Sequence, residues 1–228
     1  MNVSAILTDI EGTTTDIDFV HKVLFPYAAE KLPAYVRAHA GDAALQPILA
    51  ATRAEMNLPD ADNEAVIDCL LGWIAADKKI TPLKQLQGLI WEAGYRQGDF
   101  RGHLYADAYE GLKRWHAQGV PLYIFSSGSV RAQTLLFGHS DHGDLTPWFS
   151  GYFDTTTGAK RDAESYRRIA HAIGSPAQAV LFLSDITEEL DAAAAAGMQV
   201  LQLVRGAAVD SRHPQVATFD EISIINRP

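Results

Sequence analysis

Val3-Ser4-Ala5-Ile6-Leu7-Thr8-Asp9-Ile10-Glu11-Gly12-Thr13-Thr14-Thr15 is the stretch that decides how this chain is read. Apart from Ser4 it is apolar from Val3 to Leu7, and polar turn chemistry follows at once. A short apolar run that stops at Asp and Gly suits a central strand of a parallel sheet, which is covered on both faces. The pattern recurs. Residues 120–125 stop at Ser126-Ser127-Gly128, residues 179–183 at Ser184-Asp185, and residues 198–204 at Arg205-Gly206.

Helical patterns separate these runs. Tyr109, Leu112, Lys113 and His116 fall on one helical face; Tyr166, Ile169, Ala170 and Ile173 recur at helical spacing and stop at Gly174. Segment 186–196 ends in consecutive alanines before Gly197, which reads as a packed helix with a glycine stop rather than low complexity. Strand–helix–strand alternation predicts an α/β fold, a Rossmann-like doubly wound parallel sheet. Ligands in such sheets bind beyond the carboxyl ends of the strands, so Asp9, Ser126 and Asp185 are expected to share one crevice. Residues 17–102 read differently. They carry amphipathic stretches at 19–35, 43–56, 65–76 and 83–93, punctuated by Pro59, Pro82 and several glycines. The expected organisation is a catalytic core of 1–16 and 103–228, with 17–102 as a helical cap inserted after the first strand.

Composition narrows the function. The chain has 228 residues, 47% apolar and 21% charged, a globular mixture able to bury a core. Its only cysteine, Cys69, allows no intramolecular disulfide, so a cytoplasmic location is expected. The net charge of −9 argues against non-specific binding to nucleic acid or to anionic membranes. It leaves room for a small anionic substrate, which needs only a local cationic pocket. No basic stretch precedes a long apolar run at the N-terminus, and no run approaches the ~20 residues that span a bilayer.

Singly, the candidate residues are ordinary. An Asp after a strand is usually a cap or turn residue, Ser126-Ser127-Gly128 reads as a turn, Lys160 as a solvated lysine, and Asp185 as an N-cap. Together they are the parts phosphoryl transfer needs. A carboxylate can attack phosphorus and form an aspartyl-phosphate. Carboxylate and phosphate repel, so a divalent cation such as Mg²⁺, held by one or two carboxylates, belongs between them. A lysine neutralises further charge, and hydroxyl and N–H donors hold the phosphoryl oxygens.

Asp9-Ile10-Glu11-Gly12-Thr13-Thr14 resembles the first motif of the haloacid dehalogenase superfamily of phosphatases. YIFSSGS (123–129), with Ser126, resembles the second, TTTGAK (155–160), with Lys160, the third, and LFLSDITEEL (181–190), with Asp185, the fourth. The residue two after the nucleophile is usually Asp in that superfamily. Here it is Glu11, and DIEGT is similar to the enolase-phosphatase branch, which acts in methionine salvage. Segments 126–160 and 184–198 look like that branch too, as do the ends of the insertion at 17–28 and 86–95.

The resemblance implies Asp9 as nucleophile and cation ligand, and Asp185 as the other carboxylate ligand. Glu11 would ligate through its backbone carbonyl and keep its carboxylate for proton transfer. Ser126 and Ser127 would bind substrate, Lys160 would hold phosphate and nucleophile, and Glu189, or else Glu188, would orient Lys160 or a water on the metal. One Mg²⁺ per chain and a monomer acting on a small phosphorylated molecule are expected. The implied reaction converts 2,3-diketo-5-methylthiopentyl-1-phosphate to 1,2-dihydroxy-3-keto-5-methylthiopentene and phosphate. The alternatives are a general small-phosphomonoester phosphatase or phosphomutase, or a phospho-aspartate signalling module, which usually lacks an insertion after its first strand. Other features take plainer readings. His139, Asp141 and His142 suit a solvated loop better than a metal cluster. Trp73, Trp91, Trp115 and Trp148 suit packing, and Cys69 a buried core position. His21 and Lys22 fit either a helix surface or the site.

Overall fold

The computed structural model describes residues 1–206 and 210–226. The chain opens with β1 (Asn2–Val3) and β2 (Ala5–Thr8). Every residue of β2 is buried, as a strand between two helical layers must be. A helical stretch follows. In it α1 (Ile17–Phe19) continues through a π-helical turn (Val20–Leu24) into α2 (Phe25–His39), followed by α3 (Gln46–Met56), α4 (Asn63–Ala75) and α5 (Thr81–Gln97). Then come α6 (Ala106–Ala117), β3 (Leu122–Phe125), α7 (Val130–Gly138), β4 (Phe149–Phe153) and α8 (Ala163–Ile173). The chain closes with β5 (Val180–Ser184), α9 (Thr187–Ala195), β6 (Gln199–Leu203), β7 (Gln215–Val216) and β8 (Ile225–Asn226).

Two compact units result, residues 1–17 with 101–228, and residues 18–100. In the first, six parallel strands run in the order β4-β3-β2-β5-β6-β7, while β1 and β8 pair separately. From β2 the chain builds outward to β3 and β4, then returns to place β5 on the other side of β2. That reversal is a topological switch point, where a crevice opens beyond the strand ends. On one face Ala5, Leu7, Phe125, Val180 and Phe182 pack against Tyr166, Ile169, Leu190 and Ala193 of α8 and α9. Tyr166 lies edge-on to both Phe125 and Phe182, with centroids 5.4 and 5.0 Å apart. The alternate residues Ile6, Leu122, Ile124 and Leu181 are buried too, and α6 packs on β3. The alanines of α9 let that helix lie close on β5 and β6, and Gly197 ends it at φ +92°.

The second unit is built from α2–α5 around its own core, which includes Leu32, Val36, Leu49, Ile67, Leu70 and Leu86. Pro82 sits at the start of α5, where its missing N–H costs nothing. Gly98 closes the same helix at φ +78°. Trp91 donates its indole N–H to the Leu24 carbonyl at 2.8 Å.

Several expectations need correction. Cys69 is half-buried at the edge of this core, because α4 turns Leu70 and Val66 inward instead. Trp115 is fully buried, but Trp148 is a half-buried surface residue stacked beside Tyr109 and His116. Met198 and Val204 fall outside β6. For His21 and Lys22, where the sequence leaves helix surface and site both open, the structure shows both side chains exposed and Lys22 paired with Asp18 at 2.6 Å, in agreement with the helix-surface reading.

Candidate active site

Asp9 follows the last residue of β2 and stays in the sheet's hydrogen bonding, donating its N–H to the Leu183 carbonyl of β5 at 2.9 Å. The chain then turns sharply. The N–H groups of Thr13, Thr14 and Thr15 all converge on the Ile10 carbonyl, and Gly12 takes φ +78°. A Cβ at Gly12 would fall inside the Asp185 carboxylate, so only glycine both adopts this angle and leaves room for that group. Gly12→Ala should therefore destabilise the fold by about 1–3 kcal/mol and cut phosphate release together. Denaturant unfolding and a phosphate assay check this; wild-type values in both would refute it.

The four motifs meet at the switch point. Lys160, in the turn between β4 and α8, places Nζ 2.5 Å from Asp9 Oδ1 and 2.7 Å from Glu189 Oε2. Its backbone carbonyl accepts the Tyr166 hydroxyl at 2.7 Å, which fixes the turn on α8. Glu189 also accepts the Ser184 hydroxyl at 3.0 Å, while Glu188 is exposed. Ser126, just past β3, is fully buried; it donates to Glu11 Oε2 at 3.2 Å and accepts the Gly128 N–H at 3.0 Å. Ser127 is exposed on the same loop. Asp185, just past β5, donates its N–H to Thr13 Oγ1 at 3.0 Å.

Electrostatics follow from crowding four acids around one lysine. Burial and the neighbouring Asp9 push the Asp185 carboxyl up to about 6. The same two causes raise Glu11 and Glu189, and Lys160 only partly offsets them. For Lys160, burial opposes the charge, but Asp9 and Glu189 more than reverse it and hold the ammonium above its ordinary range.

This crowding fits a divalent cation. Asp185 Oδ1 is buried and has no hydrogen-bond partner among the described residues, so it is an acceptor waiting for a positive group. Two carboxylates and a carbonyl, completed by water and phosphate, suit the hard oxygen preference of Mg²⁺. Among the described residues no three His, Cys, Asp or Glu side chains converge as a metal cluster. The Glu11 carboxylate is turned to Ser126 and accepts its hydroxyl at 3.2 Å. His142 lies 3.7 Å from Asp141 and stacks flat on Tyr109 with centroids 3.8 Å apart.

The sequence reading missed the supporting residues Thr13, Ser184, Gln202, Arg205 and Tyr166. Gln202 and Arg205 did stand at a strand end of the same sheet, which was the one available signal.

A parallel sheet with an aspartate at the switch point, a lysine against it and a second aspartate just past the adjoining strand β5 is the site of a hydrolase that uses an aspartate at a strand end. A family model described as haloacid dehalogenase-like hydrolase matches residues 3–197. The chain is 56% identical over 225 residues to an enolase-phosphatase E1 of Pseudomonas aeruginosa, covering 98% of this chain and all of that protein. It is 57% identical over 222 residues to the enolase-phosphatase E1 of Azotobacter vinelandii, covering 97% of this chain and 98% of that one. Its fold is similar to the crystal structure of the UTR4 protein of Saccharomyces cerevisiae, with TM-score 0.83, 36% identity, and coverage of 97% of this chain and 100% of that one. The chain belongs to the haloacid dehalogenase-like hydrolases, in their enolase-phosphatase E1 family.

Proposed function

We propose that this protein is a bifunctional enolase-phosphatase of methionine salvage. It converts 2,3-diketo-5-methylthiopentyl-1-phosphate to 1,2-dihydroxy-3-keto-5-methylthiopentene and phosphate. The carrying observation is the Asp9–Lys160–Glu189 array at the switch point, in a chain more than half identical, end to end, to proteins of that name. Asp9 and Asp185 would hold Mg²⁺ by their carboxylates and Glu11 by its backbone carbonyl, one ion per chain. When bound, the ion supplies Lewis-acid stabilisation of developing oxyanion charge and neutralises phosphate.

This chain's own residues then do the following. Ser126 and Ser127 lie on the loop after β3, where hydroxyl and N–H donors can hold phosphoryl oxygens. Lys160 fixes Asp9 Oδ1 and adds positive charge beside the transferred group. One oxygen of Asp9 attacks phosphorus, the P–O bond to the substrate breaks, and Glu11 gives its proton to the leaving oxygen. Water then attacks the aspartyl-phosphate, Glu11 takes the water's proton, and phosphate leaves with Asp9 restored. In the preceding enolisation Glu11, the proposed base, starts as the carboxylate and takes the proton from the carbon beside the carbonyl. It delivers that proton to the carbonyl oxygen, so that the enol forms, and then gains a proton from solvent before it acts as the acid of the phosphoryl transfer. Residues 17–102 are read as the cap domain, residues 1–16 with 103–228 as the catalytic core. The protein is read as a cytoplasmic monomer; no helix among the described residues is long and apolar enough to cross a membrane.

Incubation with the diketo phosphate and Mg²⁺, following ultraviolet absorbance and phosphate together, tests the reading. Enol absorbance should rise, and phosphate should appear in equal amount. Hydrolysis of simple monoesters with no turnover of the diketone would point instead to a general phosphatase.

A further inference from the structure

The Asp185 main chain is gripped on both sides by residues that the proposed chemistry does not use. Its N–H donates to Thr13 Oγ1 at 3.0 Å, and its carbonyl accepts Gln202 Nε2 at 2.9 Å. Gln202 is fully buried on β6, paired across the ladder with Ser184, and its Nε2 also donates to Thr187 Oγ1 at 3.0 Å. Thr13 is in turn held by Arg205, whose Nε and Nη2 donate to the Thr13 carbonyl at 3.2 and 2.7 Å. Arg205 stands two residues beyond β6. Its Nη1 reaches both oxygens of Asp107, at 2.7 and 2.6 Å, in a mostly buried pair. Its guanidinium lies over Tyr105 at 4.2 Å, and Asp107 also accepts the Phe219 N–H at 2.8 Å.

We infer that Gln202 and Arg205, at the end of β6, are positioning residues that aim the Asp185 carboxylate at the divalent cation, Gln202 directly and Arg205 through Thr13. The inference rests on the reading of Asp185 as a cation ligand. An aspartate has a short side chain, so its carboxylate goes where its peptide groups are held. Metal sites need ligands fixed to within about 0.5 Å. Here the ligand's carbonyl is held directly from β6 by Gln202, and its N–H is held by Thr13, whose own carbonyl is bound by Arg205 just beyond β6. A guanidinium suits the Thr13 carbonyl because its planar N–H groups reach it and Asp107 together; a lysine presents a single point.

The test is Mn²⁺ binding by the full chain at fixed pH, read from the electron paramagnetic resonance of the free ion, with melting temperature measured in parallel. Asp185→Asn is the reference and should nearly abolish binding. Gln202→Met and Arg205→Lys should each raise the Mn²⁺ Kd about tenfold, as loss of a ligand's supporting partner does. Turnover should recover at saturating cation, with KM for the phosphorylated substrate unchanged. Thr13→Val should raise Kd similarly, and adding Arg205→Lys to it should cost little more, because Arg205 acts through Thr13. Should Arg205→Lys not fold, Gln202→Met and Thr13→Val carry the test. A lowered melting temperature with Mn²⁺ Kd within twofold of wild type in all three variants would overturn the inference and leave the contacts merely structural. Wild-type Mn²⁺ binding by Asp185→Asn would instead overturn the ligand reading beneath it.

Discussion

Asp9→Asn should slow phosphate release by at least about 10³-fold, the scale on which removing a covalent nucleophile acts. The amide is a poor nucleophile and no longer carries the charge that draws a cation. The loss should be chemical rather than structural. Asp9 pairs with Lys160, but its charge also raises Glu11, Asp185 and Glu189. Removing it relieves that repulsion and leaves Lys160 still paired with Glu189 at 2.7 Å. The variant should therefore unfold at a denaturant concentration close to that of wild type. A rapid-quench experiment with phosphorylated substrate should find acid-stable label on the wild-type chain and none on the variant. Retention of more than a few per cent of turnover, free of contaminating wild type, would overturn the assignment of Asp9 as nucleophile.

The central sheet was legible because its strands are buried on both faces. Each of β2, β3 and β5 is a short apolar run ending at polar turn residues, a pattern a surface segment does not give. The sequence reading did not find β4, and the reason is physical. It lies at the sheet edge, carries Ser150 and Gly151, and is only half-buried, so no apolar run marks it. Nor did it find α7, whose nine residues are too few for periodicity to speak. Strands of two residues, β1, β7 and β8, leave no pattern at all.

At the site, Asp9, Ser126 and Asp185 were visible because each directly follows a strand, whereas Lys160, well beyond β4, and Glu189, in α9, were visible by the resemblance of their motifs. Their supports were not, because those contacts join residues far apart in sequence through backbone atoms. Thr13 meets Asp185 and Arg205, and Gln202 meets Asp185, by hydrogen bonds that no spacing rule encodes. The choice between Glu188 and Glu189 turned on the phase of α9. Only the folded helix puts Glu189 beside Ser184 and Lys160, leaving Glu188 in solvent.

Lys160→Met should cost turnover about 10²–10³-fold, the usual price of removing one preorganised group from developing oxyanion charge. Methionine keeps much of the side-chain volume but has no ammonium to face the Phe125 ring, whose centroid lies 5.8 Å from Nζ. What it removes is the charge between Asp9 Oδ1 and Glu189 Oε2. Stability should fall as well, by about 3–5 kcal/mol, because breaking a buried ion pair leaves an uncompensated charge. The folded-state cost comes from two carboxylates, so it should shrink when one is removed. In the double variant with Asp9→Asn, the stability loss should be clearly smaller than the sum of the two single effects, the signature of groups in contact. Lys113, exposed on α6, is the control; its change to methionine should move stability by no more than about 0.5 kcal/mol and leave turnover intact. Equal turnover in the Lys160 and Lys113 variants would refute the role of Lys160. Additive stability losses with Asp9→Asn would show that the 2.5 Å contact does not couple the two groups in solution.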